Sequence, residues 1–216
     1  MGKIVISENV SLDGVIEDPA GVQGFRLGGW FFETDRGKDG ERFTLDKTLE
    51  TEALLLGRLS YEFFAATWSS LGGELADKLN SVPKYVVSST LEDPDWNNST
   101  VLKGDVVDEV SRLKQALDGE IVVFGSPQLA RTLIEHDLVD ELRLMIYPVV
   151  LGAGARLFGE PGDKKPMRLV DRRTVGDGIA ILTYEPVRDA ERASDGASLR
   201  DKRAAALSRA GIRESA

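Results

Sequence analysis

Alternating apolar and polar residues divide much of the chain into short strands. Five runs rich in β-branched or leucine side chains each end in glycine, serine or another polar residue, which is typical of a strand leaving a sheet. The predicted strands are KIVIS at 3–7, ALLLG at 53–57, KYVVSS at 84–89, VLKG at 101–104 and IVVFG at 121–125.

Between these strands, apolar residues recur at helical spacing. The stretches 44–50 and 61–68 are predicted as short helices. Two further helices have clear starts, because Asp105 is a candidate N-cap for the first and Ser126 followed by Pro127 begins the second. Strands that alternate with helices favour a largely parallel sheet.

Antiparallel strands are predicted further along the chain. ELRLMIYPVVLG at 141–152 is a long strand, and Pro148 places that end at an edge or a bulge. Residues 167–187 alternate on both sides of Gly176-Asp177-Gly178 and predict a terminal hairpin. The predicted fold class is therefore α/β in three layers: a mixed, mostly parallel central sheet with helices on both faces and an antiparallel C-terminal hairpin.

One domain with a charged tail accounts for the length of the chain. Its 216 residues are 42% hydrophobic, which provides one sizeable core. Residues 188–216 have few large apolar side chains and a net charge of +2, against −9 for the whole chain. We expect a domain over residues 1–187 and a tail that is disordered, or at most helical over 199–210 against a partner.

Composition excludes several kinds of site. The chain has no cysteine and one histidine, His136, whose neighbours are typical of a surface or helix-terminal position. No metal site, thiol nucleophile or Ser-His-Asp triad is therefore predicted. The negative charge, without a cluster of basic and aromatic residues, disfavours nucleic acid as a partner. With no apolar run long enough for a membrane span and no leader pattern, we expect a cytoplasmic protein that binds a small molecule.

Three predicted strands end in residues suited to binding an anion. Strand ends of an open α/β sheet face a common crevice, where helix N-termini and free amides attract phosphate. Each signal by itself is also typical of a turn or a helix cap, and Arg58 has an alternative partner in Glu62, four residues on. The three ends are Gly57-Arg58 with Ser60, Ser88-Ser89-Thr90, and Phe124-Gly125-Ser126-Pro127.

In their order, these segments resemble a known family. LLLGRLSYE, KYVVSS and IVVFGSPQLARTLIEHDLVDELRLMIYPVVLGAGARLF look like the dihydrofolate reductase fold, and most closely the branch that includes the RibD C-terminal reductase domain of riboflavin synthesis. SLDGVIED near the start resembles the same branch. The likeness spans about residues 3–186 and is most specific over 121–158. It implies a dihydrofolate reductase-like fold and an NADPH-dependent reductase.

The resemblance also implies which residues hold NADPH. The turn at Arg58 and the serine strand end would hold the adenosine side, and the glycine turn at Gly125 would hold the pyrophosphate. Pro127 departs from the family, which commonly has a second glycine here; it removes one N–H donor, for which the Ser126 hydroxyl is a substitute. A planar cation beside two hydroxyls suits a phosphate monoester, which favours NADPH over NADH. The implied residues are Gly57, Arg58, Ser60, Ser88, Ser89, Phe124, Gly125, Ser126, Pro127, Gln128 and Leu129.

Candidates for the chemistry and for the substrate are fewer. Asp13 either accepts a hydrogen bond from a ligand or forms a turn with Gly14, and Glu41 is either an acid near the substrate or a solvated residue at a helix start. Trp30 and the two phenylalanines after it either wall a ring or belong to the core. The resemblance implies a sugar-phosphate site near LGAGARLF, at Gly152, Gly154 and Arg156.

Two classes of function follow. The first is an NADPH-dependent reductase of a carbonyl compound or of a small heterocycle, such as a pteridine, a pyrimidine or a flavin-pathway compound. The alternative is a non-catalytic protein that binds a dinucleotide or another ligand. A further hypothesis is a structural homodimer whose strand LRLMIYPVV pairs with that of its partner, and dimerisation is compatible with either of the two classes.

Overall fold

Eight strands form one sheet in residues 1–159 and 164–188, which the computed structural model describes. The strands are β1 (Lys3–Ser11), β2 (Thr51–Gly57), β3 (Lys84–Val87), β4 (Ser99–Leu102), β5 (Glu120–Phe124), β6 (Glu141–Tyr147), β7 (Met167–Val175) and β8 (Ile179–Pro186). Their order across the sheet is β4-β3-β2-β5-β1-β6-β8-β7. Every pair from β4 to β6 is parallel, and β8 is antiparallel to both of its neighbours. The predicted mixed sheet and terminal hairpin are confirmed.

The helices of the described region connect the parallel strands. They are α1 (Gly37–Glu50), α2 (Arg58–Trp68), α3 (Glu74–Ser81), α4 (Val106–Ala116) and α5 (Pro127–Glu135). Asp105 caps α4 as predicted, since its side chain accepts hydrogen bonds from two backbone amides of the first turn. Helix α1 begins at Gly37, before the predicted start at Thr44. The prediction missed its first turns because they are polar and only the later part of the helix has apolar residues at helical spacing. Helix α3 was not predicted, since it is short and buries only Ala76 and Leu79.

Alternation along the strands supplies a core on each face of the sheet. Ile4 and Ile6 of β1 pack with residues of α4 and α5, among them Leu133. Val5, on the opposite face, belongs to a second cluster with residues of α2 and α3, among them Tyr61. The predicted three layers are therefore present. In the described residues, no helix is both long and apolar enough to cross a membrane.

Strand β6 differs from its prediction. It ends at Tyr147, one residue before Pro148, and does not continue to residue 152. Because β1 and β8 flank it on either side, β6 has no open edge for pairing with a second copy. The edges of the sheet are β4 and β7, so the suggested dimer contact through LRLMIYPVV is wrong. The predicted tail, 188–216, lies outside the described residues except for Arg188.

The burial of Lys84 should make the free energy of unfolding depend on pH in an unusual way. Its side chain is fully buried, and Nζ donates to the carbonyl oxygens of Asn80 at 2.8 Å and Asn97 at 3.1 Å. Burial lowers the pKa of Lys84 from 10.5 to about 8. Between these values the unfolded chain binds more protons, so the free energy of unfolding should rise with pH across that window. Urea unfolding at a series of pH values measures it.

Lys84→Met should abolish this rise with pH, whatever its effect on stability at neutral pH. Lys38→Met, which removes an exposed lysine of α1, is the matched control and should preserve the rise. The assignment fails if the two variants have the same pH profile.

Candidate functional site

The ends of β2, β3, β4 and β5 meet in one pocket, because parallel strands have their carboxyl ends at the same edge. The strand-end pocket has a volume of about 670 Å³. Residues from all three strand ends that the sequence suggested for anion binding line this pocket. Its lining residues are Gly57, Arg58, Leu59, Ser60, Val87, Ser88, Ser89, Thr90, Leu102, Lys103, Gly104, Val106, Ser126, Pro127, Gln128, Leu129 and Thr132.

Two serines tie the end of β2 to the end of β5. The Gly57 amide donates to Ser126 Oγ at 2.9 Å, and the Ser126 amide donates to Ser60 Oγ at 2.8 Å. Gly125 and Ser126 both have left-handed backbone, with φ of 58° and 60°. A Cβ on Gly125 would lie 2.8 Å from Ser60 Oγ, so this turn requires glycine both for its conformation and for space.

These bonds correct the expected roles of Ser60 and Ser126. The Ser126 hydroxyl donates to the Phe124 carbonyl oxygen at 3.2 Å and accepts from Gly57, so it does not substitute for the N–H lost at Pro127. It does not cap α5 through its side chain either. The amides of Gln128 and Leu129 have no acceptor within the described part of the chain, and they face the pocket from the positive end of the helix.

Two cations and two exposed hydroxyl side chains complete the polar wall. Arg58 is half-exposed and pairs with Glu62 at 3.0 Å, the alternative partner that the sequence offered. This pair engages one nitrogen of the guanidinium and is exposed, so it is worth at most about 1 kcal/mol. Lys103 is exposed and has no ion-pair partner among residues 1–159 and 164–188. Ser89 and Thr90 are exposed, whereas Ser88 Oγ accepts the Leu91 amide at 3.0 Å.

Lys103 and Gly104 are lining residues that sequence reasoning missed. The signal was available, since VLKG was predicted as a strand and its carboxyl end must share an edge with its parallel neighbours. Its position beside β3 could not be inferred without the strand order.

A second, largely apolar cavity has a different set of lining residues. Phe124, one residue before Gly125, lines the apolar cavity, and Ser126, one residue after it, lines the strand-end pocket. The apolar cavity has a volume of about 420 Å³. Its walls are Ser7, Glu8, Asn9, Pro19, Ala20, Phe31, Phe32, Arg36, Phe43, Thr44, Lys47, Thr48, Phe63, Phe64, Thr67, Trp68, Leu75, Leu79, Val122, Phe124, Arg143 and Met145.

The aromatic residues of this cavity only partly match the prediction. Phe124 was grouped with the cofactor residues, but it stacks on Phe64 with ring centroids 5.7 Å apart, within the apolar wall. Trp30 is 1% exposed, packs edge-on against Tyr147 and donates its indole N–H to a backbone carbonyl. Trp30 is therefore a core residue and not a substrate wall, whereas Phe31 and Phe32 do line the cavity.

Asp13 lines neither cavity, which corrects its assignment as a catalytic residue. Its carboxylate accepts the Ser11 hydroxyl at 2.8 Å and the backbone amides of Leu151 at 3.1 Å and Gly152 at 2.9 Å. These hydrogen bonds, led by that from Ser11, lower the pKa of Asp13 to about 2. Asp13 therefore anchors one loop to another.

The candidate substrate residues belong to the same anchor. A guanidinium nitrogen of Arg156 lies 3.5 Å from the Asp13 carboxylate, and the Gly152 amide donates a hydrogen bond to the same carboxylate. A Cβ on Gly154 would lie 2.7 Å from Val15, so this glycine permits close packing of two loops. All three lie away from both cavity walls, so the structure does not place them against a substrate.

Glu41 is also absent from both cavities. It is exposed on α1, whereas the residues of that helix that line the apolar cavity are Phe43, Thr44, Lys47 and Thr48. The acidic residue among those that line this cavity is Glu8 of β1, which sequence reasoning missed. Glu8 is 7% exposed, and burial raises its pKa well above the ordinary 4.5, opposed in part by a hydrogen bond with the Gly125 backbone.

Replacing Ser126 or Ser89 of the strand-end pocket by alanine should change the free energy of unfolding by different amounts. Ser126→Ala leaves the Gly57 amide without its acceptor and should lower the free energy of unfolding by about 1–3 kcal/mol. Ser89→Ala is the matched control, because this exposed side chain should change stability by less than about 0.5 kcal/mol. Urea unfolding of both variants measures the difference. Equal stability of the two would contradict the structural role of Ser126.

Comparison with known proteins identifies the family. The family model described as the RibD C-terminal domain matches residues 2–181. The uncharacterized protein YyaP of Bacillus subtilis is 30% identical over 187 residues, which is 84% of this chain and 94% of that protein.

Two solved structures share the fold. A protein assigned to riboflavin biosynthesis from Shewanella sp. PV-4 aligns with a TM-score of 0.70 at 21% identity, covering 86% of this chain and 99% of that one. Dihydrofolate reductase from Enterococcus faecalis, complexed with NADP(H), aligns with a TM-score of 0.51 at 16% identity, covering 86% and 97%. These two likenesses show a shared fold, and the family model over residues 2–181 shows that the chain belongs to the RibD C-terminal domain family.

Proposed function

We propose that this protein is an NADPH-dependent reductase of a small, flat heterocyclic or carbonyl compound. The observation that carries the proposal is a pair of cavities lined by residues on either side of Gly125, one polar and cationic with Ser126 in its wall, the other apolar and aromatic with Phe124 in its wall. Such a pair suits a phosphorylated dinucleotide in the first and the reacting rings in the second.

The strand-end pocket fits the adenosine and phosphate portion of NADPH. Arg58 and Lys103 supply positive charge within a chain of net charge −9, and the amides of Gln128 and Leu129 supply free donors at a helix N-terminus. Ser89 and Thr90 lie beside them as hydroxyl donors. A 2′-phosphate carries about two charges, so a site with two cations should favour it over the hydroxyl of NADH.

The apolar cavity fits a hydride transfer. When bound, the reduced nicotinamide supplies a hydride, and the protein must hold it against an electrophilic carbon and exclude water. The rings of Phe31, Phe63, Phe64 and Phe124 offer flat apolar walls for this purpose. The cavity volume of about 420 Å³ is within the range of small-ligand sites. A protein with this fold, Enterococcus faecalis dihydrofolate reductase, is described in complex with NADP(H).

Arg58→Ala should weaken the binding of NADPH much more than the binding of NADH. Loss of a charge-assisted contact to phosphate corresponds to about 1.5–3 kcal/mol, so NADPH affinity should fall by about 10- to 100-fold. NADH, which lacks this phosphate, should bind with affinity changed by less than about threefold. Quenching of tryptophan fluorescence during nucleotide titration measures both, since Trp68 lines the apolar cavity.

Arg112→Ala is the matched control for this test. Arg112 forms the same kind of exposed ion pair within a helix, with Glu109 at 2.9 Å, and it lines neither cavity. This variant should bind both nucleotides as the parent does. If the parent protein does not bind NADPH, the proposed function is wrong. If Arg58→Ala and Arg112→Ala lose the same amount of NADPH affinity, the role of Arg58 is wrong.

A further inference from the structure

A single carboxylate organises residues 18–32, the Asp18 loop, which lies between β1 and α1. Asp18 is 2% exposed, and its side chain accepts hydrogen bonds from three backbone amides. Oδ1 accepts the Val22 amide at 2.8 Å, and Oδ2 accepts the amides of Gln23 at 3.0 Å and Phe25 at 3.1 Å. The chain from 18 to 25 is therefore wrapped around this carboxylate.

The backbone closes the same loop. The Asp18 carbonyl oxygen accepts the amides of Gly21 at 3.0 Å and Gly29 at 3.1 Å. A Cβ on Gly21 would lie 2.9 Å from the Gly29 Cα, and a Cβ on Gly28 would lie 2.7 Å from the Asp18 carboxylate. The two sides of the loop thus approach each other more closely than larger residues would allow.

The Asp18 loop forms part of the wall of the apolar cavity. Pro19 and Ala20 follow Asp18 directly, Phe31 and Phe32 end the loop, and all four line the cavity. The Phe31 amide donates to the Pro19 carbonyl oxygen at 3.1 Å, which joins the two parts of this wall. The positions of the two aromatic rings therefore depend on how the loop is folded.

The arrangement around Asp18 is costly, which indicates that a fixed geometry is needed here. The buried carboxylate belongs to none of the ion pairs in residues 1–159 and 164–188, and burying a charge without a partner is unfavourable. Its φ of 43° lies in the left-handed region, where residues other than glycine are uncommon. Each amide from 20 to 29 that has an acceptor in the described residues has it inside the loop, so the rest of the domain does not substitute for Asp18.

We propose that Asp18 is the positioning residue of this wall and that it holds the apolar cavity ready-formed for a flat ring. The nature of that ring, a reacting ring of the dinucleotide or of the substrate, rests on the proposed function. A loop that is ordered before binding loses little conformational freedom when the ligand arrives, so preorganisation raises affinity. Asp18 acts only through the loop, since it does not itself line the cavity.

Asp18→Asn tests this role, because it keeps the shape of the side chain but replaces one acceptor oxygen by a donor. At least one of the three amides then loses its acceptor. The probe is quinoxaline, a flat bicyclic heterocycle, added to the full-length protein without nucleotide. Tryptophan fluorescence should report saturable binding, since Trp68 lines the cavity, and the variant should bind the probe about tenfold more weakly.

Amide hydrogen exchange, followed by NMR, distinguishes a ready-formed wall from one that forms on binding. In the parent without ligand, the amides of Val22, Gln23 and Phe25 should exchange slowly, although Val22 and Gln23 are exposed residues. In Asp18→Asn they should exchange about tenfold faster or more, and saturating quinoxaline should restore part of the protection. Rapid exchange of all three amides in the parent would overturn the proposal.

Asp13→Asn is the matched control. The Asp13 carboxylate also anchors a loop by accepting two backbone amides, but neither Asp13 nor those two residues line a cavity. This variant should be less stable than the parent, yet it should bind quinoxaline within about threefold of the parent affinity. If Asp13→Asn and Asp18→Asn lose the same affinity for the probe, the effect is one of general stability and the proposal is wrong.

A second variant covers the case in which Asp18→Asn does not fold. Gly28→Ala keeps the carboxylate but displaces it, since the new Cβ would lie 2.7 Å from Oδ2, and it should also weaken quinoxaline binding. Unchanged affinity in this variant, or no binding of quinoxaline to the parent, would overturn the role of Asp18. If the parent binds quinoxaline but not NADPH, the proposed function fails while the role of Asp18 stands.

Discussion

The hydrogen bonds between Gly57, Ser60 and Ser126 fix the geometry of the strand-end pocket, because all three residues line it. They join the ends of β2 and β5, which are adjacent strands, and thereby hold the first turn of α2 against the first turn of α5. The left-handed backbone at Gly125 and Ser126 makes the chain turn sharply after Phe124. Without this turn, the N-terminus of α5 would not face the residues that follow β2.

The same turn separates two environments with different physical chemistry. On the Ser126 side, the cations and amides face solvent, where they can attract a charged ligand without the cost of desolvation in its absence. On the Phe124 side, the wall is largely apolar and aromatic, and an electrostatic contact in surroundings of low dielectric constant is stronger. The proposed dinucleotide, which has a phosphorylated end and a flat reactive end, matches these two environments.

The sequence predicted the sheet well because local patterns determine it. Runs such as IVVFG have one strong preference for a strand, and the predicted strand ends at Gly57, Ser89 and Gly125 must converge once the strands are parallel. It predicted the acids poorly because their roles depend on distant partners. Asp13 accepts amides from Leu151 and Gly152, more than a hundred residues away, and no local pattern reveals that contact.

A rule that would have found the buried acid Glu8 follows from the place of β1 in the sheet. A parallel strand covered by helices on both faces should be almost continuously apolar, as KIVI and IVVF are. In β1 that run is broken by Ser7-Glu8-Asn9 before Val10 restores it. Polar side chains in such a strand cost stability unless something pairs with them, and two of these three have an oxygen without a partner among the described residues. The interruption therefore marks the wall of the apolar cavity more directly than an acid on the exposed part of α1 does, since solvent already satisfies that acid.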